Sequence, residues 1–195
     1  MDEPLKPVIL IPDNGPLGAL AVIGAHALDC LFAFGVPVHI TDMVIIEATR
    51  NKVLPWHHVL ADWLEITKKH YVRVSTDTGR EYLADLENWK THGSPEALKP
   101  RSSDKGDRSI QDAVEDFEDR LADDETLVVI VDDRKLRRRL ERANVNVRRI
   151  SSRALFDLLA DEFNIGDAAE MWAKVLAVNP TMDCINDDTQ TTRKP

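Results

Sequence analysis

Leu127-Val128-Val129-Ile130-Val131-Asp132-Asp133 sets five β-favouring apolar residues directly against two adjacent carboxylates. A continuous apolar run of this length between polar segments reads as a strand buried on both faces, as in a parallel sheet covered by helices. An Arg-rich segment follows at once, with Leu136, Leu140 and Ala143 at helical spacing. In open α/β sheets, ligands bind in the crevice outside the carboxyl ends of the strands. Asp132 and Asp133 are therefore either part of a metal or catalytic cluster, or the cap of the helix they precede.

The same strand-then-helix unit recurs on both sides of this stretch. Val8-Ile9-Leu10-Ile11 ends at Pro12-Asp13-Asn14-Gly15-Pro16, and a buried helix is expected from Leu17 to Phe34. Val38-His39-Ile40 makes a second strand, and Thr41-Asp42 offers an N-cap to a helix in which Met43, Val44 and Ile46 can face the core. Glu47 is embedded in that apolar setting. Leu54 to Lys69 is helical, and Tyr71 to Val74 is a third strand. Asp107 falls in the first turn of a helix that continues through Ala113, Val114 and Phe117, and Val145 to Ile150 forms a fifth strand. Ser151-Ser152 then caps a helix containing Leu155, Phe156 and Leu159, and Ile165 to Val178 adds a last one.

Strands alternating with helices predict an α/β fold, a three-layer sandwich around a central, mostly parallel sheet of about five strands. The predicted domain spans residues 1–155. Residues 79–105 are read as an inserted helix and loop that forms a flap, residues 156–180 as a C-terminal helical extension, and the polar stretch 181–195 as a disordered tail.

Hydrophobic residues make up 43% of the 195-residue chain and charged residues 30%, which fits a globular protein with a sizeable core. No apolar run approaches the ~20 residues of a membrane helix, and the acidic start Met1-Asp2-Glu3-Pro4 is no signal peptide. Cys30 and Cys184 stand in dissimilar contexts and suggest neither a disulfide nor a zinc site, so a cytoplasmic protein is expected. Lys and Arg number 25 against 34 Asp and Glu, a net charge of −9, so a nucleic-acid partner would have to meet a local basic patch or a bound cation.

Asp13 and the Asp132/Asp133 pair stand at strand ends, Glu47 on the helix after the second strand, and Asp107 at a helix start. Carboxylates converging in one crevice raise one another's pKa and call for a cation. Oxygen ligands without paired Cys or His favour Mg²⁺ or Mn²⁺ over zinc. Such ions can generate hydroxide and clamp the oxygens of a scissile phosphodiester.

The order Asp13-Asn14-Gly15-Pro16-Leu17 after strand one, Val44-Ile45-Ile46-Glu47, Asp107-Arg108-Ser109-Ile110 opening a helix, and Val131-Asp132-Asp133 after a later strand resembles the PIN-domain family over roughly residues 7–155. The resemblance implies a parallel α/β sandwich whose acids bind Mg²⁺ or Mn²⁺. It also implies a metal-dependent endoribonuclease acting on RNA, as in VapC-type toxins, with a cognate antitoxin and a homodimer as expected partners. Asp13, Glu47 and Asp107 match the family's first three acids. Asp133 fits the last, with Asp132 as its alternative, although Val131 stands where the family usually has Thr. Asn14 occupies a position that is often Ser or Thr there, and with Arg134 and Arg138 is a candidate RNA contact.

Each feature also has a plainer reading. Asp13 can be a turn former, Glu47 a partner of Arg50 or Lys52, and Asp107 a first-turn anion, with Asp104 and Asp112 as nearby substitutes. The arginines from 134 to 142 can be a solvated helix face, which is the reading preferred for Arg139 and Arg142. A PIN-like binding module without catalysis is the rival from another class. An aspartate-based phosphatase ranks lower, because the residue two after Asp13 is Gly15.

Overall fold

In the computed structural model the described residues are 6–50, 55–93, 95–103, 105–117, 120–143, 146–180 and 182. The predicted tail at 181–195 lies outside them apart from Met182.

The opening stretch forms strand β4 (Glu125–Ile130), in which every residue from Thr126 to Ile130 is buried. Consecutive buried residues point to opposite sides of a sheet, so both faces must be covered. Strand β1 (Lys6–Pro12) behaves alike from Ile9 to Pro12. It pairs with β4 in parallel, and β4 pairs in parallel with β5 (Val147–Ile150). The short strands β2 (His39–Thr41) and β3 (Val72–Val74) form a second parallel pair.

The expected single sheet of five strands is thus corrected to a sheet ordered β1-β4-β5 and a separate β2-β3 pair. Only one bridge, Leu10 to Val38, joins them among the described residues. The cause is local. Leu10 N donates to Pro37 O at 2.9 Å in this bridge, and the prolines on either side of it, Pro37 and Pro12, have no N–H with which to extend the ladder.

Helices α1 (Asn14–Ile23) and α2 (Ala25–Ala33) replace the single helix expected from Leu17 to Phe34. Gly24 divides them at φ 134°, a conformation that L side chains rarely adopt. Around α1 pack α2, α3 (Asp42–Arg50), α4 (Pro55–Ile66), α8 (Ser152–Phe163) and α9 (Ala168–Val178). Around α6 (Lys105–Phe117) pack α3, α5 (Asp77–Thr91) and α7 (Arg134–Leu140). Helix α3 touches both groups, and the whole is an α/β sandwich.

The expected boundary at 155/156 falls inside α8. Phe156 is fully buried and meets Trp172 of α9 at 5.9 Å between ring centroids, and Met171 and Val175 belong to the same core. The segment after residue 155 therefore seals the apolar face of α1 and α8 within the core. The 79–105 region is also fixed at its start. Thr76 caps α5, Thr78 N donates to Asp112 at 2.8 Å, and Tyr82 is buried.

Candidate functional site

The register of the three-stranded sheet decides which side chains can meet. Pro12 lies opposite Ile130, and Ile130 lies opposite Ile150. The ladder continues one step further, with Asp13 N donating to Ile130 O at 2.9 Å and Val131 N to Ile150 O at 2.8 Å. Asp13, Asp132 and Ser152 therefore emerge from three adjacent strand ends. Asp13 caps α1, its Oδ1 accepting from Asn14 N at 2.7 Å. Its Oδ2 and that of Asp132 flank the same glycine: a Cβ built on Gly15 would lie 3.9 Å from each.

Asp132 is buried, and its carboxylate accepts from Ser152 N at 2.8 Å and from the Ser152 hydroxyl. Burial pushes its pKa up, against the pull of these two bonds and the charge of Arg137. Asp133 is engaged by the helix that follows it. Its Oδ1 caps α7, accepting from Lys135 N at 2.7 Å and Leu136 N at 2.8 Å. Of the two interchangeable acids, Asp132 is the one that shares the crevice with Asp13, whereas the sequence pattern had put Asp133 first.

Glu47 reaches the same region from α3. Its Oε1 accepts from Gly106 N at 3.1 Å, in the first turn of α6. There the helix has backbone N–H groups without internal acceptors and a positive dipole end. Gly106 leaves room for this carboxylate, since a Cβ there would lie 2.6 Å from Glu47 Oε2 and displace it. Next to it stands half-buried Asp107. The start of α6 is braced by Ser109, whose hydroxyl meets both Gly106 O and Thr41 Oγ1 at 2.7 Å.

The electrostatics of Asp13 gather these positions together. Burial pushes its carboxyl up from 3.8 to about 7. The Asn14 hydrogen bond opposes this, and the charges of Asp107, Glu47 and Asp132 add to it. Acids from three other segments thus act on one carboxyl group. Among the substitutes, Asp112 is occupied by Thr78 N, and Asp104 lies outside the described residues.

Asn14 brings a further donor to the same place, because its Oδ1 is buried with no hydrogen-bond partner among the described residues. A buried acceptor without a donor is costly, and a cation is one way to satisfy it. The donor set of carboxylates and one amide oxygen fits a hard divalent ion. Among the described residues, no three acidic, His or Cys side chains form a ready-made ligand group. Magnesium is commonly held by only one or two carboxylates with water and substrate oxygens, which this arrangement allows.

Arg134 and Arg138, the predicted RNA contacts on α7, are exposed. A different cationic surface went unnoticed in the sequence. Asn14 and Glu47 line a cleft of about 590 Å³ together with Arg50, His57, Arg101, Ser102 and Ser103. The sequence offers Arg50 or Lys52 as an ion partner of Glu47, and places 101–103 in the inserted helix and loop of 79–105. The adjacency of Arg101 to two serines was the one available signal. No helix among the described residues is long and apolar enough to cross a membrane. No protein-family model matches the chain, and no curated protein is similar to it in sequence.

Proposed function

We propose that this chain is a PIN-like, metal-dependent endoribonuclease that hydrolyses RNA phosphodiester bonds. The observation that carries the reading is that Asp13 and Asp132 leave adjacent strand ends of a parallel sheet, with the charges of Glu47 and Asp107 close enough to raise the half-buried carboxyl of Asp13. Asp13, Asp132 and the Asn14 amide oxygen would hold Mg²⁺ or Mn²⁺. When bound, such an ion polarises phosphate oxygens and lowers the pKa of a ligated water.

The remaining work falls to the chain. Ser152 holds Asp132 in one orientation through two hydrogen bonds, so this carboxylate needs no rearrangement to act as a donor. Gly106 N does the same for Glu47. Glu47 and Asp107 then supply acceptors for the protons of an attacking water. Burial of Asp13 strengthens its attraction to any cation that enters.

The test is cleavage of RNA with added Mg²⁺ or Mn²⁺ by the wild-type chain, Asp13→Asn and Asp132→Asn. Loss of cleavage in both variants is expected. Equal activity in all three would refute the assignment.

A further inference from the structure

The cleft beside the acids is lined by groups of both signs. Asn14 and Glu47 line it together with two guanidinium groups, those of Arg50, from the end of α3, and Arg101, from the loop before α6. Both arginines are solvent-exposed. Among the described residues, neither is ion-paired with a carboxylate.

Arg50 is held in place nonetheless. Its Nη1 donates to Ser102 Oγ at 2.7 Å, and Ser102 is itself buried. This bond ties the end of α3 to the 101–103 loop and presets one guanidinium before any ligand arrives. A planar, preset guanidinium matches the oxygens of a phosphate. The chain carries a net charge of −9, so a polyanion would approach only where such a local cationic surface exists.

We infer that Arg50 and Arg101 bind a backbone phosphate of a polynucleotide, next to the one presented to the acids. The inference rests on the ribonuclease reading for the identity of the ligand, but it concerns binding and is tested without cleavage. It moves the principal phosphate contacts from α7 to the loop that precedes α6. That loop lies in the region read from sequence as an insertion.

The experiment measures fluorescence anisotropy of a short labelled single-stranded RNA in EDTA, over a series of salt concentrations. A single-stranded DNA of the same base order forms a second arm. The proteins are the full wild-type chain, Arg101→Ala, the double variant Arg50→Ala/Arg101→Ala, and the double variant with Lys at both positions. Arg101 makes no hydrogen bond or ion pair among the described residues, so its removal leaves the fold intact, and thermal melting checks the others.

The double Ala variant should bind on the order of tenfold more weakly. The slope of log affinity against log salt should flatten by about 1.4, roughly 0.7 for each lost phosphate contact on a single strand. The double Lys variant should keep the wild-type salt slope. RNA and DNA should weaken alike. A loss seen with RNA alone would mean that the 2′-hydroxyl is contacted, and would overturn the phosphate assignment. Unchanged affinity and slope in the double Ala variant would overturn it too, as would absence of binding by the wild type. If binding is unaffected by these arginines while Asp13→Asn still abolishes cleavage, the ribonuclease reading stands without this inference.

Discussion

Replacing Asp13 by Asn separates an electrostatic role from a capping role, because Asn caps a helix about as well as Asp. The bond from Asn14 N to Oδ1 and the shape of the side chain are retained, and only the charge goes. In the folded chain the Asp13 carboxyl titrates at about 7, raised by burial and by Asp107, Glu47 and Asp132. In the unfolded chain it titrates at about 3.9. Between these values the folded state holds a proton that the unfolded state has released, so raising the pH through this window lowers stability. The full effect is present above about pH 7, where it reaches no more than about 4 kcal/mol, and it vanishes below about pH 4. Asn has no such equilibrium.

In EDTA the variant should therefore melt with the wild type near pH 4, and above it near pH 8, by up to on the order of 10 °C for a chain of this size. Manganese should then narrow the gap at the higher pH. A ligand at about a hundred times its Kd adds about 2.7 kcal/mol to a protein that binds it, and the wild type should gain what the variant does not. Scanning calorimetry across pH, with and without Mn²⁺, reads both effects. A variant less stable than wild type at every pH, or a difference that does not change with pH, would show that Asp13 is only a cap and would refute the account of its surroundings.

Three further substitutions probe how the site is held. Gly106→Ala places a Cβ 2.6 Å from Glu47 Oε2 and should displace that carboxylate, lowering RNA cleavage at least tenfold while costing only about 1 kcal/mol in chemical denaturation, since the carboxylate end can swing away. Asp133→Asn should leave cleavage near wild type because the α7 cap survives, whereas Asp132→Asn should abolish it; the opposite pattern in a cleavage assay would restore Asp133 as the active acid. Gly79→Ala brings a Cβ to 2.2 Å from Cγ of buried Asp42, which already accepts from Thr76 N and Thr76 Oγ1, so urea unfolding should show a loss on the order of 3 kcal/mol or more.

The strands were legible because their signal is short-range. A run such as Leu127–Val131 has few other places to go than the middle of a covered sheet, and helix caps at Asp13, Ser151 and Asp133 sit beside the residues they serve. The division at Gly24 was hidden, because small and apolar residues on both sides continue the helical pattern and only the backbone angle breaks it. Separation of the sheet into two parts turned on Pro12 and Pro37, whose missing N–H groups limit the ladder only once β1 and β2 lie side by side. The arginine cleft was hidden for the same reason: Arg50 and Ser102 are 52 positions apart and become neighbours only when α3 and the loop before α6 are packed. Asp42 is the converse case, an acid buried as deeply as Asp132 but spent entirely on joining α3 to the start of α5.

The two adjacent acids after β4 can be told apart by the needs of the helix that follows them. The first turn of α7 has N–H groups that must find an acceptor, and the nearer residue, Asp133, supplies it with a single oxygen bound by two donors. That leaves Asp132, one step closer to the sheet, to face the crevice, where Ser152 from the neighbouring strand end fixes it. After β5 the labour is divided in the opposite order: Ser151 caps α8, and Ser152, the first residue of the helix, serves the crevice. After β1 there is only one acid, and Asp13 performs both tasks, with Oδ1 on the helix and Oδ2 towards Asp132. A strand end that feeds a helix therefore delivers a second polar residue to the crevice only after the cap has been filled. By that rule the acid that is not the cap is the better candidate ligand wherever two stand together at such a junction.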